Sequence, residues 1–171
     1  MYVKDEDVLR IIKDARKTIH LLNPIFATLI ESLLSIDWIK RNDQIVNEYS
    51  EFVVDLLVAH NKYSNLVVRK LISVWIPDDT NIKNWIDNQP TGVTYTQLKI
   101  IHKLIAKILN AVPMAFEVVA ETIEETCPYY KQRSCIVSGF VHNVLWLLKY
   151  QPDFLTIIIE MLFKRYIYIL N

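Results

Sequence analysis

The stretch VPMAFEVVAETI, residues 112–123, contains the features that decide the fold of this chain. Pro113 fits the first turn of a helix but ends a helix that precedes it, so it marks the start of a new one. Phe116, a run of aliphatic residues and Glu121 follow it. The stretch therefore predicts an amphipathic helix that begins at a proline.

The same pattern occurs at 23–34, NPIFATLIESLL, and at 151–162, QPDFLTIIIEML. A fourth copy, YSNLVVRKLISV at 63–74, has Ser64 in the place of Pro24, Pro113 and Pro152, and serine is a favourable N-cap. The spacings between these four anchors are 40 (24 to 64), 49 (64 to 113) and 39 (113 to 152) residues. Since another amphipathic segment precedes each anchor, the sequence predicts a repeated helical hairpin of about 40 residues.

Periodicity favours an all-α protein. In the segment 42–60 the apolar residues follow one stripe of 3.6-residue period, namely Ile45, Val46, Tyr49, Phe52, Val53, Leu56 and Leu57. No comparable stretch alternates with a period of two. We therefore expect one HEAT-like α-solenoid segment over residues 1–171, built from about four antiparallel helical hairpins.

The long spacing between Ser64 and Pro113 indicates an insertion of about ten residues. We place it at 78–95 as a surface insertion between two repeats, with one helical turn around Trp85 that Asp79 or Thr80 would cap. Such insertions often lie on a binding face. The alternative is that Trp85 only packs its loop against the neighbouring hairpin.

Composition argues against several classes of protein. Nineteen basic and nineteen acidic side chains give a formal net charge of zero, and no run of five like charges occurs, so we expect no direct DNA binding. The most apolar segment, 154–170, contains three charged residues and is too short for a comfortable bilayer span, so we expect a soluble chain without a membrane contact. Cys127 and Cys135 form no CxxC pair, and no secretory signal is present, so we expect reduced, buried thiols in an intracellular protein.

The sequence predicts no catalytic, metal or cofactor site. GxGxxG, GxxxxGKS and GxSxG motifs are missing from it. The histidines, His20, His60, His102 and His142, are separated by 40, 42 and 40 residues. Stacked helices lie about 8 to 10 Å apart, so one ion with bonds of about 2 Å could not collect side chains from several layers. We expect His142 and Asn143 to hydrogen-bond a neighbouring inter-helix loop instead.

The last segment, DFLTIIIEMLFKRYIYIL at 153–170, is apolar on nearly every side. A terminal repeat of a solenoid needs a polar outer face. Two interpretations are open. The chain is an N-terminal fragment whose next hairpin covers this helix, which we favour, or the face with Phe163, Tyr166, Ile167 and Leu170 pairs with another chain, as in a homodimer.

Two loops combine residue types that are favoured at protein interfaces. We predict that they contact a partner through Trp38, Lys40 and Arg41 in the first loop and Tyr129, Tyr130, Lys131 and Arg133 in the second. The alternative is that these side chains serve only solubility.

Three stretches resemble, in their order and spacing, the N-terminal half of the RNA polymerase I-specific transcription initiation factor IA family. They are LLSIDWIKRNDQIVNEYSEFVVDLL (33–57), VWIP (74–77) and CPYYKQRSCIVSGFVHNVLWLLKYQPDFLTIIIEMLFKRY (127–166). The resemblance implies a nuclear and nucleolar HEAT-repeat adaptor without enzymatic activity or cofactor. It would bind RNA polymerase I near its stalk and link it to the promoter-bound core or selectivity factor at ribosomal RNA genes. The alternative is a generic helical-repeat scaffold, such as a trafficking or transport adaptor.

The chain departs from the family in two ways. Many members carry a long acidic, serine-rich loop at the position of the insertion, whereas here the insertion has only Asp78, Asp79 and Asp87 and no serine. The family's phosphorylated serine patch cannot be matched to any serine of this chain. The resemblance also implies that further helical repeats follow this N-terminal piece.

Overall fold

A computed structural model describes residues 4–22, 24–77, 84–87 and 89–167 of the chain. Its α-helices are α1 (Asp5–Lys17), α2 (Ala27–Leu34), α3 (Asp43–Ala59), α4 (Ser64–Ser73), α5 (Gly92–Ala111), α6 (Ala115–Thr126), α7 (Ser134–Leu148) and α8 (Leu155–Leu162). Single 3-10 turns lie at Ile19–Leu21, Pro24–Phe26, Asn61–Tyr63 and Pro152–Phe154, and a π-helical turn, Phe163–Ile167, follows α8. The prediction of an all-α protein is confirmed.

The core lies between two sets of helices. α1 packs on α3 and α3 packs on α5, while α4 packs on α6 and contacts α5. In three of these pairs, α1 with α3, α3 with α5 and α4 with α6, the neighbouring helices are two apart in the sequence. All seven apolar residues that the sequence assigns to one stripe of α3 are buried. The helix begins at Asn42, whose side-chain oxygen accepts a hydrogen bond of 3.0 Å from the backbone N–H of Ile45.

The linkers lie at two different ends of the array. At one end, His60 Nε2 is 2.9 Å from the carbonyl oxygen of Ile19, and Asn61 Nδ2 is 3.5 Å from Met114 Sδ. These contacts join the linkers α1–α2, α3–α4 and α5–α6. At the other end, the linker before α3 lines a groove with the first turn of α5, and the linker between α4 and α5 contacts α7. We call the first of these the α1–α2 end and the second the α2–α3 end.

The proline anchors lie where helices begin. Pro24 and Pro152 each open a 3-10 turn directly before a helix, and Pro113 lies in the turn before α6. The prediction that Ser64 is an N-cap is wrong. Ser64 is the first residue of α4, with φ −55° and ψ −45°, because the preceding 3-10 turn already gives it helical geometry. An N-cap needs an extended backbone, and the buried hydroxyl of Ser64 has no hydrogen-bond partner among the described residues.

The predicted helical turn does not extend to Trp85 and Ile86, which lie in a strand, although Asn84 directly before them has 3-10 geometry. Trp85–Ile86 (β1) and Gln89–Pro90 (β2) form a two-residue antiparallel pair with Trp85 opposite Pro90. Asp87 lies between them at φ 49°, a left-handed conformation that aspartate tolerates. Asp79, Thr80 and the rest of 78–83 lie outside the described residues.

The half-buried Trp85 packs against α7, which agrees with the alternative that its loop is only fastened to a neighbouring hairpin. Its ring meets His142 edge to face, with centroids 5.7 Å apart. α7 approaches closely because residue 139 is a glycine. A Cβ at Gly139 would lie 2.7 Å from Cδ of Pro77 and 3.6 Å from the Trp85 ring. The glycine therefore fixes how near α7 lies to the start of the insertion.

The last helix and the turn after it expose apolar side chains, but not all of those that the sequence predicts to be exposed. Leu155, Ile159 and Phe163, spaced by four residues, are about half exposed, at 50%, 45% and 49%. Tyr166 instead turns inward and donates a hydrogen bond of 3.0 Å to the carbonyl oxygen of Pro128. The side chain of Ile167 and all of Leu170 lie outside the description. In the ranges that are described, no helix has the length and apolarity to cross a membrane.

Candidate functional site

The first predicted partner-binding loop, 35–42, is mostly fastened to the protein itself. Trp38 is buried and stacks on Tyr49 with a centroid distance of 4.7 Å. The guanidinium of Arg41 donates to the Asp5 carboxylate over 2.6 Å and to the carbonyl oxygen of Asp37 over 2.9 Å. The predicted contact residue Trp38 instead lies with its ring in the core.

Lys40 alone of this first group reaches outward. It is exposed, and no hydrogen bond or ion pair joins it to a described residue. It lies at the rim of a groove of about 570 Å³ between the loop and the first turns of α5, together with Ile39, Val46 and Val93. Only Lys40 thus remains a candidate contact in this loop.

The second predicted group, Tyr129 to Arg133, lies in the loop 127–133 and is mostly turned to the solvent. Tyr129 is 48% exposed and its ring lies 4.5 Å from that of Tyr130. Lys131 Nζ is 5.5 Å from the centroid of the Tyr130 ring, a cation–π distance. Lys131 and Arg133 are exposed. The structure therefore places the predicted residues of this loop together at the surface.

The loop 127–133 has a fixed base. Its backbone turns at the hydrogen bond from Gln132 N to the carbonyl oxygen of Tyr129, 2.9 Å long. The hydroxyl of Tyr166 lies 3.5 Å from Cys127 Sγ and also bonds to Pro128. Burial raises the pKa of the Cys127 thiol. Cys127 is therefore an inert buried thiol, as expected, whereas Cys135 is only half-buried.

A buried polar cluster, which we call the Asn143 network, lies below these surfaces. The side chain of Asn143 donates to the carbonyl oxygens of Trp75 (3.2 Å) and Gly139 (2.9 Å), and its oxygen lies 3.0 Å from His102 Nε2. An amide oxygen can only accept, so His102 Nε2 carries the proton and Nδ1 accepts from the Tyr150 hydroxyl, 2.9 Å away. Every polar atom of the His102 and Asn143 side chains has a partner.

The structure separates the two residues of the predicted His142–Asn143 pair. Asn143 does bond to the segment that follows α4, through Trp75. His142 makes no such bond: its Nε2 has no hydrogen-bond partner among the described residues, and its ring meets the edges of Trp85 and Trp146. The histidine in the network is His102, for which the sequence alone predicts no role. His102 lies on the apolar stripe of α5, and this position is the sequence signal that could have indicated its burial.

Burial governs the charge of His102. Its ring stacks on Trp75, which follows α4, and on Trp146 of α7, with centroid distances of 5.2 Å and 4.6 Å. Burial lowers its pKa to about 4, although the hydrogen bond with Asn143 opposes this shift. Burial also raises the pKa of the Tyr150 hydroxyl well above its usual value, so that it remains a donor. The Asn143 network is therefore neutral at physiological pH.

The described residues hold no arrangement suited to metal binding. Among them, no group of three or more histidine, cysteine, aspartate or glutamate side chains could hold an ion. The surfaces described above are a loop with aromatic and basic side chains and shallow grooves between helices. Such features suit the recognition of another macromolecule.

We predict that the buried His102 makes the fold sensitive to acid. Its folded pKa of about 4 lies below the ordinary 6.5, so the unfolded chain binds more protons between these values. The stabilisation is complete above pH 6.5 and is lost as the pH falls toward 4, by about 2 kcal/mol at pH 5. Urea denaturation of the wild type and of His102→Gln at pH 7.5 and pH 5 measures the loss.

The variant is expected to be less stable at pH 7.5 but to lose less stability on acidification. His20→Gln, at an exposed site, is the matched control and should retain the wild-type difference. An equal loss in wild type and His102→Gln would show that another group carries the pH dependence.

Comparison with known proteins identifies the relatives of this chain. The family described as RNA polymerase I specific transcription initiation factor RRN3 matches residues 2–169. The RNA polymerase I-specific transcription initiation factor tif-1A of Caenorhabditis elegans is 22% identical over 130 residues, which cover 73% of this chain and 20% of that protein. The factor RRN3 of Mus musculus is 23% identical over 171 residues, covering 95% and 26%, and that of Schizosaccharomyces pombe is 25% identical over 129 residues, covering 74% and 19%.

The chain thus spans about a fifth to a quarter of the length of these relatives. The resemblance seen in the sequence is confirmed, because the match extends over nearly all of the chain. The chain belongs to the RRN3 family of RNA polymerase I-specific transcription initiation factors.

Proposed function

We propose that this chain is a protein-binding segment of an RNA polymerase I initiation factor, an adaptor without enzymatic activity that acts in the nucleus and nucleolus. It would bind RNA polymerase I near its stalk and help to connect the enzyme with the promoter-bound core or selectivity factor. The observation that carries the proposal is the family match over residues 2–169. The match favours this function over a generic trafficking or transport scaffold.

The adaptor would be a HEAT-like solenoid over the whole of residues 1–171, with the insertion 78–95 between two repeats. Two features support this architecture. Helices two apart in the sequence pack on each other, as α1 on α3 and α4 on α6. The linkers α1–α2, α3–α4 and α5–α6 lie at one end of the array. In a stack of hairpins each repeat contacts its neighbours in this way.

We infer that the α2–α3 end of the array meets the polymerase. Lys40 is exposed there, and the loop 127–133, which connects α6 with α7, offers Tyr129, Lys131 and Arg133. Exposed tyrosine and arginine side chains are enriched at binding hot spots. Trp38 and Arg41 would contribute indirectly, since they fix the position of the loop that carries Lys40.

A pull-down of purified RNA polymerase I on this chain tests the proposal, with RNA polymerase II as the specificity control. We expect selective capture of polymerase I. The triple variant Lys40→Glu, Lys131→Glu and Arg133→Glu should weaken capture by about tenfold or more, because each reversal places a carboxylate where a cation faced the partner.

The matched control reverses three other exposed lysines, Lys17, Lys62 and Lys164, and changes the net charge equally. Capture should survive these changes. Capture that is equally strong in both triple variants would leave the family function intact and remove the proposed surface. Capture of neither polymerase by the wild type would contradict polymerase binding by this segment. Competition with the isolated polymerase stalk tests the location of the contact.

The apolar stripe of α8 supports a second contact, between two copies of the chain. We propose that Leu155, Ile159 and Phe163 form it, since three exposed apolar side chains at four-residue spacing line one helix face. Sedimentation of the wild type should then show a dimer that Ile159→Lys converts to a monomer. Val58→Lys, at an exposed apolar residue of α3, is the control. A wild-type chain that sediments as a monomer at every concentration would contradict the dimer.

A further inference from the structure

Two contacting helices of this protein, α5 and α6, carry charges of opposite sign. α5 and α7 contain no acidic residue, although the chain has 19 of them. The charged side chains of α5 are Lys99, Lys103 and Lys107, which are all exposed and repeat every four residues along one face of the helix. α6, in contrast, carries four glutamates and no basic residue. The surface between α5 and α7 is therefore basic in a chain whose net charge is zero.

Two of the three lysines on α5 are available to a partner. Lys107 pairs with Glu51 on α3. Lys99 and Lys103 make no hydrogen bond or ion pair with any residue that the structure describes. Their Cα atoms are one helical turn apart, about 6 Å along the axis. Carboxylates at alternate positions of an extended peptide, about 7 Å apart, match this spacing.

A groove of about 370 Å³ runs beside these lysines, between α5 and the end of α7. Its floor consists of Tyr95, Trp146 and Tyr150. The rings of Tyr95 and Trp146 stack with centroids 5.4 Å apart, and Tyr95 is 45% exposed. The floor is fixed, because Trp146 also stacks on His102 and Tyr150 bonds to His102. The groove thus combines a rigid aromatic surface with two unpaired cations.

We propose that this groove, which we call the α5–α7 groove, binds an acidic segment of a partner protein. Carboxylates of the segment would pair with Lys99 and Lys103, and an apolar or aromatic side chain between them would lie against the exposed ring of Tyr95, beside Trp146. Charge complementarity selects an acidic partner and the ring floor supplies the buried contact. The site is distinct from the loops at the α2–α3 end and does not require that the partner belong to RNA polymerase I.

A peptide fits this groove better than a nucleic acid does. Proteins that hold nucleic acids neutralise about 6 to 10 phosphates, whereas the groove has two free lysines. Stacking of successive bases needs open aromatic faces. The Trp146 ring already stacks with two other rings, those of Tyr95 and His102.

Fluorescence anisotropy tests the proposal with a fluorescein-labelled peptide in which glutamate alternates with serine around two central phenylalanines. The double variant Lys99→Glu, Lys103→Glu is expected to bind this probe about tenfold more weakly than the wild type, or worse. The matched control is Lys62→Glu, Lys164→Glu, which changes the net charge equally and should stay within about twofold of the wild type. Circular dichroism of each variant confirms that the fold is retained.

The floor is tested at Tyr95. Tyr95→Ser is expected to weaken the probe several-fold, while Tyr95→Phe, which keeps the ring, binds like the wild type. A probe with serine in place of its phenylalanines should also bind more weakly. Equal affinity of the two probes would overturn the role of the aromatic floor.

Other outcomes would overturn the site as a whole. The first is that the wild type does not bind the probe. The second is an equal loss of affinity in both lysine variants, which would indicate non-specific attraction. Displacement of the probe by a thymidine oligonucleotide that itself binds more tightly would indicate a nucleic-acid groove instead. The assay contains no polymerase, so its failure and a failure of the polymerase pull-down are separate results.

Discussion

One buried amide, that of Asn143, joins three parts of the chain that are far apart in the sequence. It bonds to the carbonyl group of Trp75 after α4, to Gly139 within α7 and to the His102 ring on α5. An unpaired buried polar group costs about 1–3 kcal/mol. Any shift of α7 along α5 would leave such groups without partners. The network thereby fixes the register of the helices whose side chains form the α5–α7 groove.

The close approach of α7 to the insertion follows from the same arrangement. Gly139 lets the Pro77 ring lie where a Cβ would otherwise be, and Trp85 then covers the same turn of α7. Aromatic rings complete the contact, with Trp75, His102, Trp146 and Tyr95 in successive stacked pairs. The outermost ring, Tyr95, is at once the end of this core stack and part of an exposed groove.

The sequence predicts the parts of this structure that depend on local chemistry. Pro24, Pro113 and Pro152 lie at helix starts because a proline can hardly lie elsewhere in a helix, and the α3 stripe is buried because its period is that of a helix. The prediction of an N-cap at Ser64 was wrong because a single sequence does not distinguish an N-cap from the end of a 3-10 turn. The strand at Trp85 and Ile86 was not predicted, because two residues are too few to show a period.

The surface was harder to predict, for a physical reason. Tryptophan and arginine are favoured at interfaces because they make large, directional contacts, and the same property lets them anchor loops within the protein. Trp38 stacks on Tyr49, and Arg41 bonds to Asp5. A single sequence does not reveal that Arg41 and Asp5 are paired. In the loop 127–133, by contrast, the described contacts give the Tyr129 ring no partner beyond its neighbour Tyr130. Long-range pairing therefore decides which residues remain at the surface. The family, in contrast, is identified by the sequence match over 2–169.

We propose that the α2–α3 end of a fixed helical array meets the polymerase. Hydrogen–deuterium exchange of this chain, alone and bound to RNA polymerase I, tests it most directly, because each end has linkers that report on it. We expect slower exchange on binding in 127–133 and around Lys40, and unchanged exchange in the linkers around Asn61 and Met114 at the α1–α2 end. Protection confined to the linkers around Asn61 and Met114 would show that the polymerase binds the α1–α2 end instead.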